Sequence, residues 1–258
     1  MISKDELARA KEKRKTTLYY EEKEYLQYIF LHAISKFADS FAFKGGTCLR
    51  ICYGLERASE DLDFSTTLSI KKIESIILEI IKEYELRNIA LESKEKKEFK
   101  GNARFELRFR GPLYSGSAAS TNTLKIDFNK TKARRTSARV ISQLFSDVPF
   151  FTLVALDEKE LLAEKIRSLV RRKEPRDLYD VWVLISRKIQ LDKKFLDLKL
   201  KEEKASLLKL DFPTEKEYNR DLKNLLFVLP DYNQVCKEVE EYLLKFESRR
   251  IKYAGKKI

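Results

Sequence analysis

A chain of 258 residues with 53 Lys and Arg against 41 Asp and Glu, net charge +12, is long enough to bury one large core or two smaller ones. Hydrophobic residues at 43% beside charged residues at 36% describe a globular protein with a charged surface. No apolar run approaches membrane-spanning length and the polar N-terminus does not read as a signal peptide, so a cytoplasmic protein with no membrane partner is expected.

In chain order, residues 4–14 are charged and helical in pattern. Glu21 to Phe37 follows as an amphipathic helix with Tyr25, Ile29, Phe30, Ala33 and Phe37 on its apolar side; His32 there reads as core rather than ligand. Ser40 to Phe43 reads as a short strand, Gly45-Gly46 as a turn, and Cys48 to Tyr53 as a short helix. Cys48 and Cys52 lie one helical turn apart as small buried thiols and, with Cys236, form no C-x-x-C pair. With one histidine in the chain, a zinc site and His-based acid–base catalysis are not expected.

Leu62 to Phe64 is strand-like, and Ser69 to Tyr84 is helical with Ile73, Ile76, Ile77, Ile80 and Ile81 at helix spacing. Ile89–Ser93, Arg104–Arg110 and Thr123–Phe128 read as strands. In the second, Phe105, Leu107 and Phe109 alternate with Glu106, Arg108 and Arg110, which predicts one wet face. The Gly/Ser-rich stretch 111–122 is a turn or loop. Helical patterns then run at 158–173, 176–187, 193–209, 215–228 and 232–247, followed by a basic tail with Arg249, Arg250, Lys252, Lys256 and Lys257. The chain thus reads as an α/β domain over 1–156 with N-terminal helices and a helical domain over 157–258.

Four constellations carry candidate chemistry. In Lys44-Gly45-Gly46-Thr47, a Gly-Gly turn opens an apolar segment, where backbone N–H groups can face a phosphate. Asp61 and Asp63 in Arg57-Ala58-Ser59-Glu60-Asp61-Leu62-Asp63-Phe64 share one side of an extended strand, anchored by Leu62 and Phe64; the alternative is an ordinary surface Asp-x-Asp. Asp127 ends a strand that can pair beside the first, unless it merely caps a turn. Three such carboxylates can hold two divalent ions and activate a hydroxyl.

The remaining constellation spans Glu164-Lys165-Ile166-Arg167 and Pro175-Arg176-Asp177-Leu178-Tyr179-Asp180. Lys165 and Arg172 lie along one edge of a buried stripe, from which a cation can reach a triphosphate, whereas Arg167, Arg171 and Lys173 read as a solvated face. Asp177 can complement the N-terminus of its helix; Asp180 has less local reason to be there.

These motifs, in this order from about residue 18 to 245, resemble the AbiEii/AbiGii toxin family of nucleotidyltransferases. The resemblance implies an α+β fold: a polymerase-beta-like nucleotidyltransferase domain with a mixed sheet and flanking helices, joined to an all-helical domain. It implies a nucleoside triphosphate substrate, two Mg²⁺ ions with Mn²⁺ as the alternative, and a cognate antitoxin protein. It gives Lys44, Gly45, Gly46, Thr47, Arg57 and Ser59 a nucleotide-binding role, together with Lys165, Arg172 and Asp177. It makes Asp61, Asp63 and Asp127 metal ligands and catalytic residues beside Lys165, with either Asp177 or Asp180 as the last aspartate. Some members extend the 3′ end of tRNA, which fits the basic balance. Lys132, Arg134, Arg135 and Arg139, directly after Asp127, then read as a grip on RNA phosphates, against an exposed loop. Two other outcomes stay open: transfer to a protein hydroxyl, and an inactive fold that binds RNA or a partner.

Overall fold

The computed structural model describes residues 1–254 apart from 203, 208 and 209, with side chains described as far as 246. The chain divides into two compact units, Met1–Leu156 and Asp157–Ile258.

In the first unit, helices α1 (Lys4–Arg14) and α2 (Leu18–Ile34) lead through a 3₁₀ turn into strand β1 (Ala42–Lys44), helix α3 (Gly45–Tyr53) and strand β2 (Asp61–Thr66). Helix α4 (Ile70–Glu85) follows, then β3 (Ala90–Phe99), β4 (Asn102–Arg110), β5 (Asn122–Lys130), β6 (Thr136–Ile141) and β7 (Phe151–Leu156). Local chemistry sets the helix starts: the side chains of Thr17 and Ser69 accept hydrogen bonds from the backbone N–H groups of Tyr20 and Lys72.

The strands of the described residues form one mixed sheet in the order β3-β4-β5-β2-β1-β7-β6. β2 runs parallel to β5 and β1 parallel to β7; the other neighbours are antiparallel. Alternation separates the two faces. Leu62, Phe64, Phe105, Leu107, Phe109, Leu124, Ile126 and Phe128 are all buried on one side. Phe64 stacks on Phe128 with centroids 5.4 Å apart, and Tyr84 of α4 stacks on Phe109 at 4.1 Å. Each such ring taken from water contributes on the order of 2–3 kcal/mol, so this face anchors the sheet. The opposite face carries Asp61, Asp63, Lys125, Asp127, Arg104, Glu106 and Arg108, which is the wet face that the β4 alternation predicts.

Sequence pattern missed β6 and β7. Phe151–Leu156 pairs in parallel with β1, which lies more than a hundred residues earlier, and no local signal announces such a partner. Helix α2 also departs from a simple amphipathic pattern: Glu21, Glu22, Lys23 and Glu24 are all buried. Glu24 is held by Arg14 and Arg50, both at 2.6 Å, and Glu22 accepts from Asn122 and the Leu113 N–H. Such paired charges satisfy burial and escape a hydrophobic-periodicity reading.

The second unit is helical: α5 (Glu158–Arg172), α6 (Pro175–Ser186), α7 (Lys193–Glu202), α8 (Glu215–Leu222) and α9 (Tyr232–Ala254). Asp157 caps α5 by accepting from the Glu160 N–H, and Pro175 opens α6 where its missing donor costs nothing. α7 and α8 stop short of the expected 209 and 228. The side chains of the expected basic tail lie outside the described residues. No helix among the described residues is long and apolar enough to cross a membrane.

Candidate active site

Helix α3 begins directly after β1 at Gly45, so the Gly-Gly pair is the first helical turn rather than a separate loop. Lys44 precedes it without a side-chain cap, which leaves the opening N–H groups to another partner. Both glycines are required by close approach. Gly45 has φ +80°, and a Cβ there would fall 2.2 Å from Asp63 Oδ2. A Cβ on Gly46 would fall 2.4 Å from an Arg57 guanidinium nitrogen and 3.0 Å from Ser59 Oγ. Gly45 therefore lets the opening of α3 close onto the Asp63 carboxylate, and Gly46 lets it close onto Arg57 and Ser59. Replacing Gly45 by Ala is expected to abolish nucleotidyl transfer and to destabilise the fold by about 1–3 kcal/mol, read from urea unfolding.

The carboxylates are fixed by register. Asp63 sits opposite Lys44 on one side and opposite Asp127 on the other, while Asp61 faces Lys125. Gln27, buried in α2, donates from Nε2 to the Ser59 and Glu60 carbonyls at 3.0 Å and pins the chain entering β2. Thr47, fully buried, donates to the Asp61 carbonyl and lies 2.8 Å from Ser59 Oγ, so its hydroxyl ties α3 to β2. Arg57, also buried, donates to the Ala58 carbonyl and packs beneath Gly46. Thr47 and Arg57 thus support the opening of α3 and the chain entering β2.

Arg104 was not legible as a site residue. It forms a two-pronged ion pair with Asp127, Nε to Oδ1 at 2.8 Å and Nη2 to Oδ2 at 2.7 Å. Its only local signal is its place on the wet face of an alternating strand, opposite Asp127 across β5. This pairing raises the Arg104 guanidinium further above its already high range. Burial pushes the Asp61 carboxyl up; Lys125 opposes this, the Asp127 and Glu60 charges add to it, and Arg104 opposes it again. Replacing Arg104 by Gln is therefore expected to push Asp61 higher. If the ionised Asp61 carboxylate takes part in transfer, the acid limb of the pH–rate profile should move to higher pH.

Among the described residues no three His, Cys, Asp or Glu side chains converge as a preformed metal cage. The donor set still fits Mg²⁺. That ion takes one or two carboxylates and completes its shell with water and substrate phosphate oxygens, and Asp61 with Asp63 are such a pair beside a helix N-terminus.

The helical unit holds its own charged cluster. Lys165 Nζ lies 2.9 Å from Asp177 and 2.7 Å from Asp180, and Arg172 Nε lies 2.7 Å from the other oxygen of Asp177. Asp177 and Asp180 are fully buried, so both aspartates of the fourth motif hold Lys165 rather than reach solvent. Burial pushes the Asp177 carboxyl up, but Lys165 and Arg172 outweigh it and hold it below the usual range.

Of the four residues expected to grip RNA, Arg139 lies on β6 and the other three lie in the loop that leads to it. β5 already has β4 and β2 as neighbours, so the chain after Lys130 must cross to the far edge of the sheet before it can pair again. Lys132 and Arg134 are exposed in the crossing loop and Arg135 is half-buried there. Arg139, on β6, donates to the Cys52 carbonyl and stacks over the Tyr53 ring at 4.5 Å.

Residues 29–246 match the family model described as nucleotidyl transferase AbiEii toxin, type IV TA system. No curated protein matches the chain in sequence. Among solved structures, the chain is similar to MenT4, a nucleotidyltransferase toxin from Mycobacterium tuberculosis, at 18% identity and TM-score 0.71, over 93% of this chain and 88% of that one. It is similar also to JHP933 from Helicobacter pylori, at 20% identity and TM-score 0.61, over 93% of this chain and all of the other. At these identities the structural likeness speaks to the fold, a mixed seven-stranded sheet followed by helices; the family match speaks to the chemistry. The chain belongs to the AbiEii nucleotidyltransferase toxin family of type IV toxin–antitoxin systems.

Proposed function

We propose that the protein moves a nucleoside monophosphate from an NTP to the 3′-terminal hydroxyl of a tRNA. The observation that carries this reading is the register that sets Asp63 between the glycine-opened N-terminus of α3 and Asp127, with Asp61 on the same face. In the transfer, the acceptor oxygen bonds to the α-phosphorus, the bond to the bridging oxygen breaks, and pyrophosphate leaves. Asp61 and Asp63 are the ligands for two Mg²⁺ ions, which, when bound, neutralise charge on the triphosphate and polarise its α-phosphate. The N–H groups opening α3 take phosphate oxygens. Asp127, steadied by Arg104, helps to activate the acceptor hydroxyl. The resemblance gives Lys165 the neutralisation of phosphate charge, and within the helical unit the two buried aspartates fix its ammonium. Asp177 and Asp180 are its positioning residues. The family's type IV label implies an antitoxin partner.

The test incubates wild-type protein and the Asp63→Ala variant with each α-labelled NTP, Mg²⁺ and total tRNA. Label entering RNA with the wild type alone is the expected result. Label on protein alone would replace the acceptor by a protein hydroxyl. No label in either arm would leave a binding fold.

A further inference from the structure

A cavity of about 330 Å³ opens on the wet face of the sheet directly beside Asp61, bounded by Tyr19 and Lys23 of α2, Arg108 of β4 and Lys125 of β5. It lies along β2 and β5 on the side away from Gly45: register places Lys125 opposite Asp61, and Thr123 with Arg108 one alternation further on. Successive same-face rows are roughly 6.6 Å apart. The cavity, which Asp61 itself lines, therefore lies one to two rows from Asp63 and Asp127, about the stride of one nucleotide in an extended strand.

Its walls are chemically mixed. Lys125 and Arg108 are exposed cations able to meet a phosphate, while Glu60 and Glu106 offer carboxylates that accept from hydroxyl or amino groups. A lining of both signs is a poor fit for a polyanion in general and a good fit for a single phosphorylated, hydroxyl-bearing unit. Tyr19, a residue 47% exposed, supplies a ring. Lys23 steadies the ring: it is buried, donates to the Thr123 carbonyl, and keeps its ammonium 5.2 Å from the Tyr19 centroid. An exposed aromatic braced in this way is a platform for a base. The volume is at the lower end for small-ligand sites, room for one nucleoside.

We propose that this cavity receives the nucleotide preceding the acceptor hydroxyl, with its base stacked on Tyr19, its phosphate on Lys125 and Arg108, and its 2′-hydroxyl donating to Glu60 or Glu106. The proposal rests on the RNA-acceptor reading given above. It moves the RNA contact from the segment 130–139 to the face that carries the carboxylates.

The experiment measures binding of a fluorescent single-stranded RNA oligonucleotide by anisotropy, its DNA counterpart, and a non-hydrolysable NTP. Full-length wild type is compared with Tyr19→Ala, Lys125→Glu and Lys125→Arg. Tyr19→Ala should weaken RNA about tenfold, raise the KM for RNA and leave NTP binding unchanged, and Lys125→Glu should weaken RNA by a similar factor. Lys125→Arg should restore the affinity, and DNA should bind more weakly than RNA. Unchanged RNA affinity in both variants, or loss of NTP binding by Tyr19→Ala, overturns the proposal. Wild-type protein that binds RNA through Tyr19 and Lys125 but labels only protein supports the subsite and overturns the acceptor assignment. Wild-type protein that binds no RNA overturns both.

Discussion

Replacing Asp61 or Asp63 by Ala is expected to lower nucleotidyl transfer by roughly 10³-fold or more, a loss of about 4 kcal/mol of transition-state stabilisation. Both carboxylates lie on one face of β2, and Asp63 also meets the opening of α3, so no neighbour can take over either role. Stability should respond in the opposite direction. Asp61 is raised above its ordinary range first by burial and then, against Lys125, by the Asp127 and Glu60 charges. The folded state thus holds the Asp61 proton more tightly than the unfolded chain does. The stability linked to that proton is present at low pH and is lost as pH rises from the ordinary carboxylate pKa through the raised value. Asp61→Asn keeps the shape and removes this opposition, so its thermal midpoint above that window should equal or exceed the wild type's while transfer disappears. A site residue that destabilises its own fold marks a trade of stability for function. A variant that lost activity and stability together would make Asp61 structural instead.

What was legible in the sequence followed from local chemistry. Asp61 and Asp63 could be placed on one face because strand period is two and Leu62 and Phe64 must face the core. Helix α4 was visible because its isoleucines repeat at helix spacing. What was not legible depends on pairing at a distance. Arg104 acquires its role only because β4 lies against β5 with Arg104 opposite Asp127. Of the 132–139 cations that follow Asp127 along the chain, sheet order carries Arg139 to the far edge and leaves Lys132, Arg134 and Arg135 in the loop leading there. The two glycines were read as a turn suited to phosphate, and their tighter reason emerges only when Asp63 and Arg57 are seen against them. The choice between Asp177 and Asp180 was a question that residue spacing could not resolve, since both flank one ammonium.

That shared ammonium gives the second large effect. Lys165→Ala would leave two buried carboxylates facing the space of a lost countercharge, and breaking such a pair from one side costs about 3–5 kcal/mol. Arg172 still reaches Asp177, but its side chain is 57% exposed and water screens what it offers. The chain's one tryptophan, Trp182, lies in α6 and donates to Glu238 of α9, so its fluorescence in urea reports on the helical unit directly. The midpoint should fall sharply for Lys165→Ala. It should recover much of the way in a variant that combines Lys165→Met with Asp177→Asn and Asp180→Asn, where no charge is left to bury. Acid should mimic the single loss. Asp177 is held below its ordinary value, so its contribution is complete above the unfolded carboxylate pKa of about 3.9 and is lost as pH falls through the lowered folded value. Transfer tests whether Lys165 serves the nucleotide as well as the fold. The neutral triple variant should fold and remain inactive if the ammonium serves the nucleotide, whereas recovery of activity with stability would reduce Lys165 to a structural ion pair.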